Sequence, residues 1–175
     1  MKKTCHSEIG KLKSVFIKKA EDAFQNDALI SAQWKDLNFL AKPDFEKSKS
    51  EYQKFENIFL ENTIDVFHFE KDETVSMDSI YCRDAAIATD HGIIICNMGK
   101  AARNTEPKAQ QKIFEKHALK ILGKIDSPGT VEGGDVAWLD EKTLAVGHTY
   151  RTNENGIEQL KNLLKPFGIE IITVP

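Results

Sequence analysis

The chain has 175 residues, of which 41% are hydrophobic and 29% are charged, as is typical of a globular domain with its own core. Its 24 basic and 27 acidic side chains leave a net charge of −3, so no strong attraction to nucleic acid or to an anionic membrane is expected. Cys5, Cys82 and Cys96 are odd in number and lack the CxxC spacing of zinc sites, which argues against a disulfide scaffold or a zinc cluster and predicts a cytoplasmic protein.

The N-terminal half contains two strand patterns around a helix pattern. Residues 13–19, "KSVFIKK", are predicted to form a strand, and residues 64–69, "IDVFHF", a second one. Between them, residues 44–61 follow Pro43, which favours the start of a helix. The apolar residues of this segment recur at helical spacing; they are Phe45, Tyr52, Phe55, Ile58 and Phe59.

Residues 24–42 allow two interpretations. The stretch "DALISAQWKDLNFLAK" has a periodicity that fits a helix packed on the surface. It equally fits a mobile lid carrying Trp34 and Phe39. Periodicity alone favours neither, and both interpretations are kept as expectations.

The second half contains an internal repeat. Residues 85–122 and residues 135–174 each predict a strand, an acidic turn, a second strand, an arginine and an asparagine, and then an amphipathic helix, and the second copy adds a closing strand. Asp90 and Asp140 occupy the same turn in the two copies, 50 residues apart. Such a period is typical of modular arrays.

Units of this kind usually stack or close into a ring, which hides their sheet edges and apolar helix faces. The chain is long enough for about three units if its N-terminal half is a divergent copy. An open arc of three would leave edges and apolar faces uncovered, which predicts self-association into a homo-oligomer.

Four polar clusters lie at predicted strand ends, where scaffolds present functional groups. Acids occur in the first and third clusters and arginines in the second and fourth; the clusters are "DSIYCRD" (78–84), "KAARNTE" (100–106), "EGGD" (132–135) and "HTYRTN" (148–153). Structural ion pairs explain any one of them. Together they suit a ligand with both a guanidinium and a carboxylate, because carboxylates grip the first group and arginines grip the second.

The segments "DSIYCRDAAIA", "RNTEP", "GTVEGGDVAWLD" and "LAVGHTYRTNENGIEQL" resemble the guanidino-group-modifying superfamily, also called penteins. The resemblance is strongest to its dimethylargininases and amidinotransferases. It implies an α/β propeller of five strand–strand–helix–strand units, of which this chain holds about three. It also implies a small-molecule guanidino substrate and no cofactor.

The resemblance implies roles for two acids. Asp84 matches the carboxylate that binds the substrate guanidinium. Glu132 matches the acid that also contacts the guanidinium and orients a catalytic histidine. Asp135, the second acid of "EGGD", is expected to support the turn instead.

The resemblance also implies substrate-binding positions. Two of them match arginines that hold the substrate carboxylate or line its approach; these are Arg103 and Arg151. Two more match positions that line the same pocket; these are Asp78 and Arg83. At Arg83 the chain departs from dimethylargininases, which usually carry an acid there.

In the family reaction a cysteine thiolate attacks the guanidinium carbon, an amine leaves, and a histidine activates water or a second amine to release the product. The family's histidine and cysteine follow the strand that corresponds to "IEIITV". Residues 1–175 are therefore expected to be a partial domain that is inactive alone. The cysteines present are poor substitutes, and Cys96 is expected to be buried.

Two alternatives remain. One is a non-catalytic module that binds arginine-like ligands or a partner protein. The other is a structural domain in which the acids and arginines are only ion pairs. A metal site formed by Cys82, Asp84, His91 and Cys96 is rejected because no ligand spacing supports it. His148 is expected at a strand end, where it lines the pocket or lies hydrogen-bonded at the surface.

Overall fold

The structure, a computed structural model, describes residues 4–175. The chain divides into two compact units. One is Lys11–Cys82, and the other consists of Arg83–Pro175 together with the N-terminal segment up to Gly10. That residues 1–175 form one partial domain stays a prediction.

The unit Lys11–Cys82 contains a two-stranded parallel sheet and three helices. Its elements in chain order are β1 (Ser14–Ile17), α1 (Ala20–Phe24), α2 (Asp27–Gln33), α3 (Phe45–Glu61) and β2 (Asp65–His68). The strands pair with Ser14 opposite Asp65 and Ile17 opposite His68. Parallel pairing requires a long crossover connection, which the helices provide. Both strands and α3 lie where the sequence predicts them.

The start of α3 is fixed by a cap. The Asp44 side chain accepts a hydrogen bond from the backbone N–H of Lys47 at 2.8 Å, which satisfies one of the donors left over in a first helical turn. The helix has 17 residues, or about 26 Å, whereas each strand has four, or about 13 Å. Part of its predicted apolar face, Phe55 and Ile58, is exposed.

Part of the segment 24–42 packs against the core of this unit. Ile30 of α2 is completely buried, and Trp34 and Phe39 are partly buried against the same cluster. The Gln33 side chain also accepts a hydrogen bond from the backbone N–H of Met77 at 2.9 Å. The packed-helix interpretation is confirmed for Asp27–Gln33, whereas residues 34–42 form turns and a loop. The partial burial of Trp34 and Phe39 favours packing, and a mobile lid stays a prediction.

The other unit contains the internal repeat. Its elements in chain order are β3 (Ala86–Thr89), β4 (Gly92–Ile95), α4 (Glu106–Lys116), β5 (Ile121–Lys124), β6 (Val136–Asp140), β7 (Thr143–Gly147), α5 (Glu154–Leu164) and β8 (Glu170–Val174). They form two three-stranded sheets, β3-β4-β5 and β6-β7-β8. In each sheet the first strand is antiparallel to the second, and the third is parallel to the second. The predicted repeat is confirmed.

The hairpin of each repeat brings its acid and its arginine to the same end. Ala86 at the start of β3 lies opposite Ile95 at the end of β4, and Val136 at the start of β6 lies opposite Val146 in β7. A residue just before the first strand is therefore close to a residue just after the second. This register places the functional candidates of each repeat together.

Alternating side chains build the core of this unit. Leu144 and Val146 of β7 are completely buried, and the alternate residues Thr143, Ala145 and Gly147 are only half-buried, as expected for a strand with one face in the core. Ile157, Leu160 and Leu164 of α5 pack into the same cluster at the spacing of one helical face. The buried faces of β7 and α5 therefore pack together and support the hairpin that carries the candidate residues.

The chain has an α/β fold, as predicted, whereas the number of units and their closure into a ring stay predictions. Among residues 4–175, no helix is both long enough and apolar enough to cross a membrane.

Asn153 joins α5 to the loop that leads to the "EGGD" segment. Its Oδ1 accepts hydrogen bonds from the backbone N–H groups of Gly156 at 2.8 Å and Thr130 at 3.0 Å. Its Nδ2 donates to the carbonyl of Pro128 at 2.9 Å. One side chain therefore caps a helix and fixes a neighbouring loop.

Replacing Asn153 with alanine removes these three hydrogen bonds. We expect Asn153→Ala to lower the free energy of unfolding by about 2–3 kcal/mol, measured by chemical denaturation. Asn155→Ala is the matched control, because Asn155 is exposed and its Oδ1 accepts from the side chain of Gln159 on the same helix; a change within about 0.5 kcal/mol is expected. Equal losses in the two variants would contradict this role of Asn153.

Candidate functional site

Glu132 is a buried carboxylate that lies just before the short 3-10 turn Gly133–Asp135. Its Oε1 accepts a hydrogen bond from the backbone N–H of Lys100 at 2.9 Å. Arg151 Nη1 donates to both of its oxygens, at 2.9 Å to Oε2 and 3.2 Å to Oε1. The carboxylate thus receives one fixed backbone donor from the first repeat and one side-chain donor from its own repeat.

The two glycines after Glu132 allow close approach of the chain segment that carries Asp84. A Cβ on Gly134 would lie 2.6 Å from Oδ1 of Asp84, and a Cβ on Gly133 would collide with the backbone carbonyl of Arg83. Neither glycine has a positive φ. Their function is therefore to leave space for Asp84 beside the turn.

Asp84, a half-buried residue, belongs to a three-membered ion-pair network. Nη1 of Arg103 donates to Asp84 Oδ2. Nε and Nη2 of Arg103 donate to the two oxygens of Glu106 at 2.8 and 2.7 Å, the forked geometry of a strong arginine–carboxylate pair. Only 4% of the Arg103 side chain and 1% of Glu106 are exposed. These hydrogen bonds fix the side chains of Asp84, Arg103 and Glu106.

The electrostatics of Arg103 follow from this network. Burial acts to lower the pKa of its guanidinium, but the hydrogen bonds and charges of Glu106 and Asp84 outweigh burial and raise the pKa above its ordinary value. The group therefore stays charged. Sequence analysis did not identify Glu106, although its spacing three residues after Arg103 is the available signal.

Arg151 is held more loosely than Arg103. Its side chain is 26% exposed, and a single nitrogen makes both contacts to Glu132. The guanidinium carbon lies 5.0 Å from the centre of the exposed Tyr150 ring, within the range of a cation–π contact. The backbone, by contrast, is fixed, because the Arg151 N–H donates to Thr149 Oγ1 at 2.9 Å.

The side chain of Asp135, in the turn, is hydrogen-bonded to the segment that carries Arg151. Its Oδ2 accepts hydrogen bonds from Thr149 Oγ1 at 2.9 Å and Thr152 Oγ1 at 2.6 Å. Thr152 Oγ1 in turn accepts from the backbone N–H of Glu132 at 3.1 Å. Asp135 thus supports the turn, as predicted. Sequence analysis missed the completely buried Thr152.

The described contacts of the Arg83 side chain lie at the edge of β6. Its side chain is 58% exposed, and Nη2 donates to the backbone carbonyl of Val136 at 2.8 Å and to Glu8 Oε1 at 3.4 Å. Glu8 Oε1 also accepts from the backbone N–H of Trp138 at 3.1 Å. The Glu8–Arg83 pair therefore binds edge groups of β6, the outer strand of its sheet, and blocks pairing there. A role of Arg83 in substrate binding stays a prediction.

Asp78 lies in the unit Lys11–Cys82. It is buried within the 3-10 helix Met77–Ile80, and its backbone carbonyl accepts from the N–H of Tyr81 at 2.9 Å. Its predicted role in substrate binding stays a prediction.

Neither Cys96 nor Cys5 is prepared for nucleophilic attack. Cys96 is buried, as expected, and burial, followed by the negative charges of Asp84 and Glu132, raises the pKa of its thiol far above the ordinary value. Burial and then the hydrogen bond to Asp90 raise the pKa of Cys5 to about 12. Both thiols are therefore protonated at neutral pH. His148 is exposed, and its backbone N–H donates to Val174.

One group of residues has the composition of a metal site. Ligand atoms of Cys5, His6 and Asp90 lie within 4.8 Å of one another. However, His6 Nδ1 lies 2.9 Å from the carbonyl of Glu141, to which it donates, and Nε2 accepts from the backbone N–H of Asp90 at 2.9 Å. Because both ring nitrogens are engaged, this group is part of the packing of the N-terminal segment.

A family model for arginine deiminase matches residues 75–172, more than half of the chain. The N(G),N(G)-dimethylarginine dimethylaminohydrolase of Pseudomonas aeruginosa is 25% identical over 130 residues, which are 74% of this chain and 50% of that protein. An arginine deiminase of Bacillus cereus is 37% identical over 90 residues, which are 47% of this chain and 22% of that protein. The chain thus spans half or less of the length of these relatives.

Solved structures share the fold. A mutant dimethylarginine dimethylaminohydrolase of Pseudomonas aeruginosa, complexed with citrulline, superposes with a TM-score of 0.74 at 22% identity, over 95% of this chain and 62% of that one. An amidinotransferase from Microseira wollei gives a TM-score of 0.70 at 13% identity, over 98% of this chain and 63% of that one. The resemblance to guanidino-group-modifying proteins predicted from the sequence is confirmed.

The buried network around Arg103 yields a stability prediction. We expect Glu106→Gln to lower the free energy of unfolding by about 3 kcal/mol, because it removes a charge that compensates the buried guanidinium. Glu115→Gln, at an exposed position of α4, is the matched control and should change it by less than about 0.5 kcal/mol. Chemical denaturation of both variants measures the difference, and a Glu106→Gln protein as stable as the control would contradict the network's role.

Proposed function

The chain belongs to the arginine deiminase family, and from this premise we propose that it binds the guanidinium group of an arginine-like amino acid as part of an enzyme that modifies this group. Glu132 and Asp84 are the carboxylates that face the reacting group in this proposal. The observation that carries it is that each of these acids already accepts hydrogen bonds from a guanidinium, that of Arg151 or Arg103.

Guanidinium binding suits these acids for physical reasons. Glu132 is buried and receives the backbone N–H of Lys100, so its carboxylate is oriented before any ligand arrives. A planar cation can donate to it in parallel hydrogen bonds, which a neutral or spherical ligand cannot match. Asp84, held against Gly134, supplies a second negative charge near the same turn. The pair favours a cation with several donors.

The ligand's carboxylate requires a positive partner. Arg103 is committed to Glu106 and Asp84, whereas Arg151 has a looser contact and greater exposure. We therefore assign the ligand carboxylate to Arg151 and a supporting role to Arg103, which fixes Asp84. Roles for Asp78 and Arg83 in lining the pocket remain part of the proposal.

The reaction proposed is that of the family. A cysteine thiolate adds to the guanidinium carbon, an amine leaves with a proton, and a histidine then helps water or a second amine to displace the sulfur. In this proposal the thiol and the imidazole come from residues beyond this chain. Glu132 and Asp84 stabilise the positive charge throughout. The two repeats of the second unit would be consecutive blades of a propeller ring.

A second candidate is a module that binds arginine-like ligands without converting them. The observation that favours it is the burial of Cys96 and the hydrogen bond that Cys5 Sγ donates to Asp90, which make both thiols poor nucleophiles. The two candidates share the binding site and differ only in turnover.

Calorimetry tests binding. L-arginine and dimethylarginine are expected to bind, and citrulline, which has a neutral ureido group in place of the guanidinium, should bind at least about tenfold more weakly. Glu132→Gln should weaken guanidine binding by at least about tenfold, because it removes the negative charge. Glu158→Gln, at an exposed position of α5, is the matched control and should bind as the unmodified chain does.

Equal binding of citrulline and L-arginine, or an unchanged affinity in Glu132→Gln, would contradict the proposed site. Turnover is tested separately on the full-length protein, which in this proposal carries the thiol and the imidazole, by measuring citrulline or amine release in the presence of each guanidine. Release would favour the enzyme, and binding without release would favour the module.

A further inference from the structure

The unit Lys11–Cys82 has a cleft of its own, between the start of α1 and one face of α3. Its volume is about 330 Å³, which lies within the range of sites for small organic molecules. We propose that this cleft is a second binding site, which takes a small primary ammonium ion on the carboxylate of Glu56. Every residue that lines it belongs to this unit, whereas Glu132 and Arg151 belong to the other, so the inference is independent of the proposed function.

The cleft is built by two helices that pack against each other, α1 and α3. Four of its lining residues follow one another at steps of three or four along α3, which places them on one face of the helix; they are Glu46, Lys49, Gln53 and Glu56. Three more come from the start of α1; they are Lys19, Ala20 and Glu21. The shape of the cleft therefore follows from helix packing within one compact unit.

Glu56 is the buried acid of this cleft. Only 8% of its side chain is exposed, against 56% for Glu21 and 78% for Glu46. Its Oε1 lies 2.8 Å from Nε2 of His68, which orients the carboxylate, and no described residue among 4–175 donates to Oε2. Because a buried carboxylate is costly unless hydrogen bonds and charge compensate it, Oε2 favours a donor that enters through the cleft.

The two lysines of the cleft are paired with its exposed acids. Nζ of Lys49 lies 2.7 Å from Glu46, and Nζ of Lys19 lies 3.8 Å from Glu21. These two pairs cancel each other's charge, and neither includes Glu56. When the imidazole of His68 is neutral, the negative charge of Glu56 therefore has no counter-charge among these lysines, and the cleft favours a cation over an anion.

The available acceptor suits an ammonium better than a guanidinium. A guanidinium binds a carboxylate best through parallel hydrogen bonds to both oxygens, and His68 already occupies one oxygen of Glu56. An ammonium is a compact charge with three donors, so one donor can bind Oε2 alone. Neutral oxygen acceptors for the others are present on Ser50, Tyr52 and Gln53, which line the same cleft.

NMR of the nitrogen-15-labelled chain tests the site, at about pH 7.5, where an ordinary imidazole is mostly neutral. Propylammonium should shift the amide signals of α3 around Glu56 in a saturable way, and the uncharged 1-propanol should bind there at least about tenfold more weakly. Glu56→Gln keeps the size of the side chain but removes its charge, so it should weaken propylammonium binding by about tenfold or more. Glu51→Gln, at an exposed position of α3 outside the cleft, is the matched control and should bind as the unmodified chain does.

A second pair of variants adds a charge instead of removing one. Gln53→Arg places a cation in the cleft and should weaken propylammonium binding by about fivefold or more. Asn57→Arg adds the same charge at an exposed residue that does not line the cleft and should keep the affinity within about threefold. The two variants are matched, because each also removes the hydrogen bond from Gln53 Nε2 to Asn57 Oδ1.

Circular dichroism checks the fold of each variant, and the second pair decides alone if Glu56→Gln does not fold. Equal binding of 1-propanol and propylammonium, or the absence of a saturable shift in the folded unmodified chain, would overturn the inference. An affinity for propylammonium that is unchanged in folded Glu56→Gln or in Gln53→Arg would also overturn it. Each of these results would leave the proposed guanidinium site at Glu132 standing.

Discussion

The candidate site depends on the pairing of two carboxylates with the chain's own guanidinium groups. Asp84 holds Arg103 and Glu132 holds Arg151, and each pair joins the residues that flank one hairpin. A buried carboxylate without a partner would be costly, so each arginine supplies a counter-charge and orients its acid without ligand. The same pairing defines the chemistry, because a group that binds one guanidinium well is suited to bind another.

The two pairs are not equivalent, and the difference comes from their surroundings. Arg103 has a second acid, Glu106 at the start of α4, and is enclosed by protein. Arg151 has no comparable second acid among its described contacts and lies under the exposed ring of Tyr150. The pair of Arg103 is therefore enclosed, whereas the guanidinium of Arg151 is partly exposed. The repeats also interlock at this point, since Lys100 of the first binds Glu132 and Gly134 of the second makes room for Asp84.

Much of this arrangement follows from sequence patterns. The two hairpins have the same strand order and the same acidic turn, so the positions of Asp84, Arg103, Glu132 and Arg151 at one end of each hairpin are predictable. The network partners Glu106 and Thr152 are not, because their importance comes from burial, which the pattern does not encode. Arg83 shows the same limit: its partner Glu8 lies 75 residues away in the chain.

The most direct test of the central claim observes the two guanidinium groups themselves. Nitrogen-15 NMR of the arginine side chains, assigned with Arg151→Lys, follows both groups during titration with unlabelled L-arginine. Ligand binding at Glu132 should shift the Nε–Hε signal of Arg151 in a saturable way and leave that of Arg103 in place. A saturable shift of Arg103 with Arg151 unchanged would contradict the account, because the ligand would then be displacing the guanidinium that the structure holds most firmly.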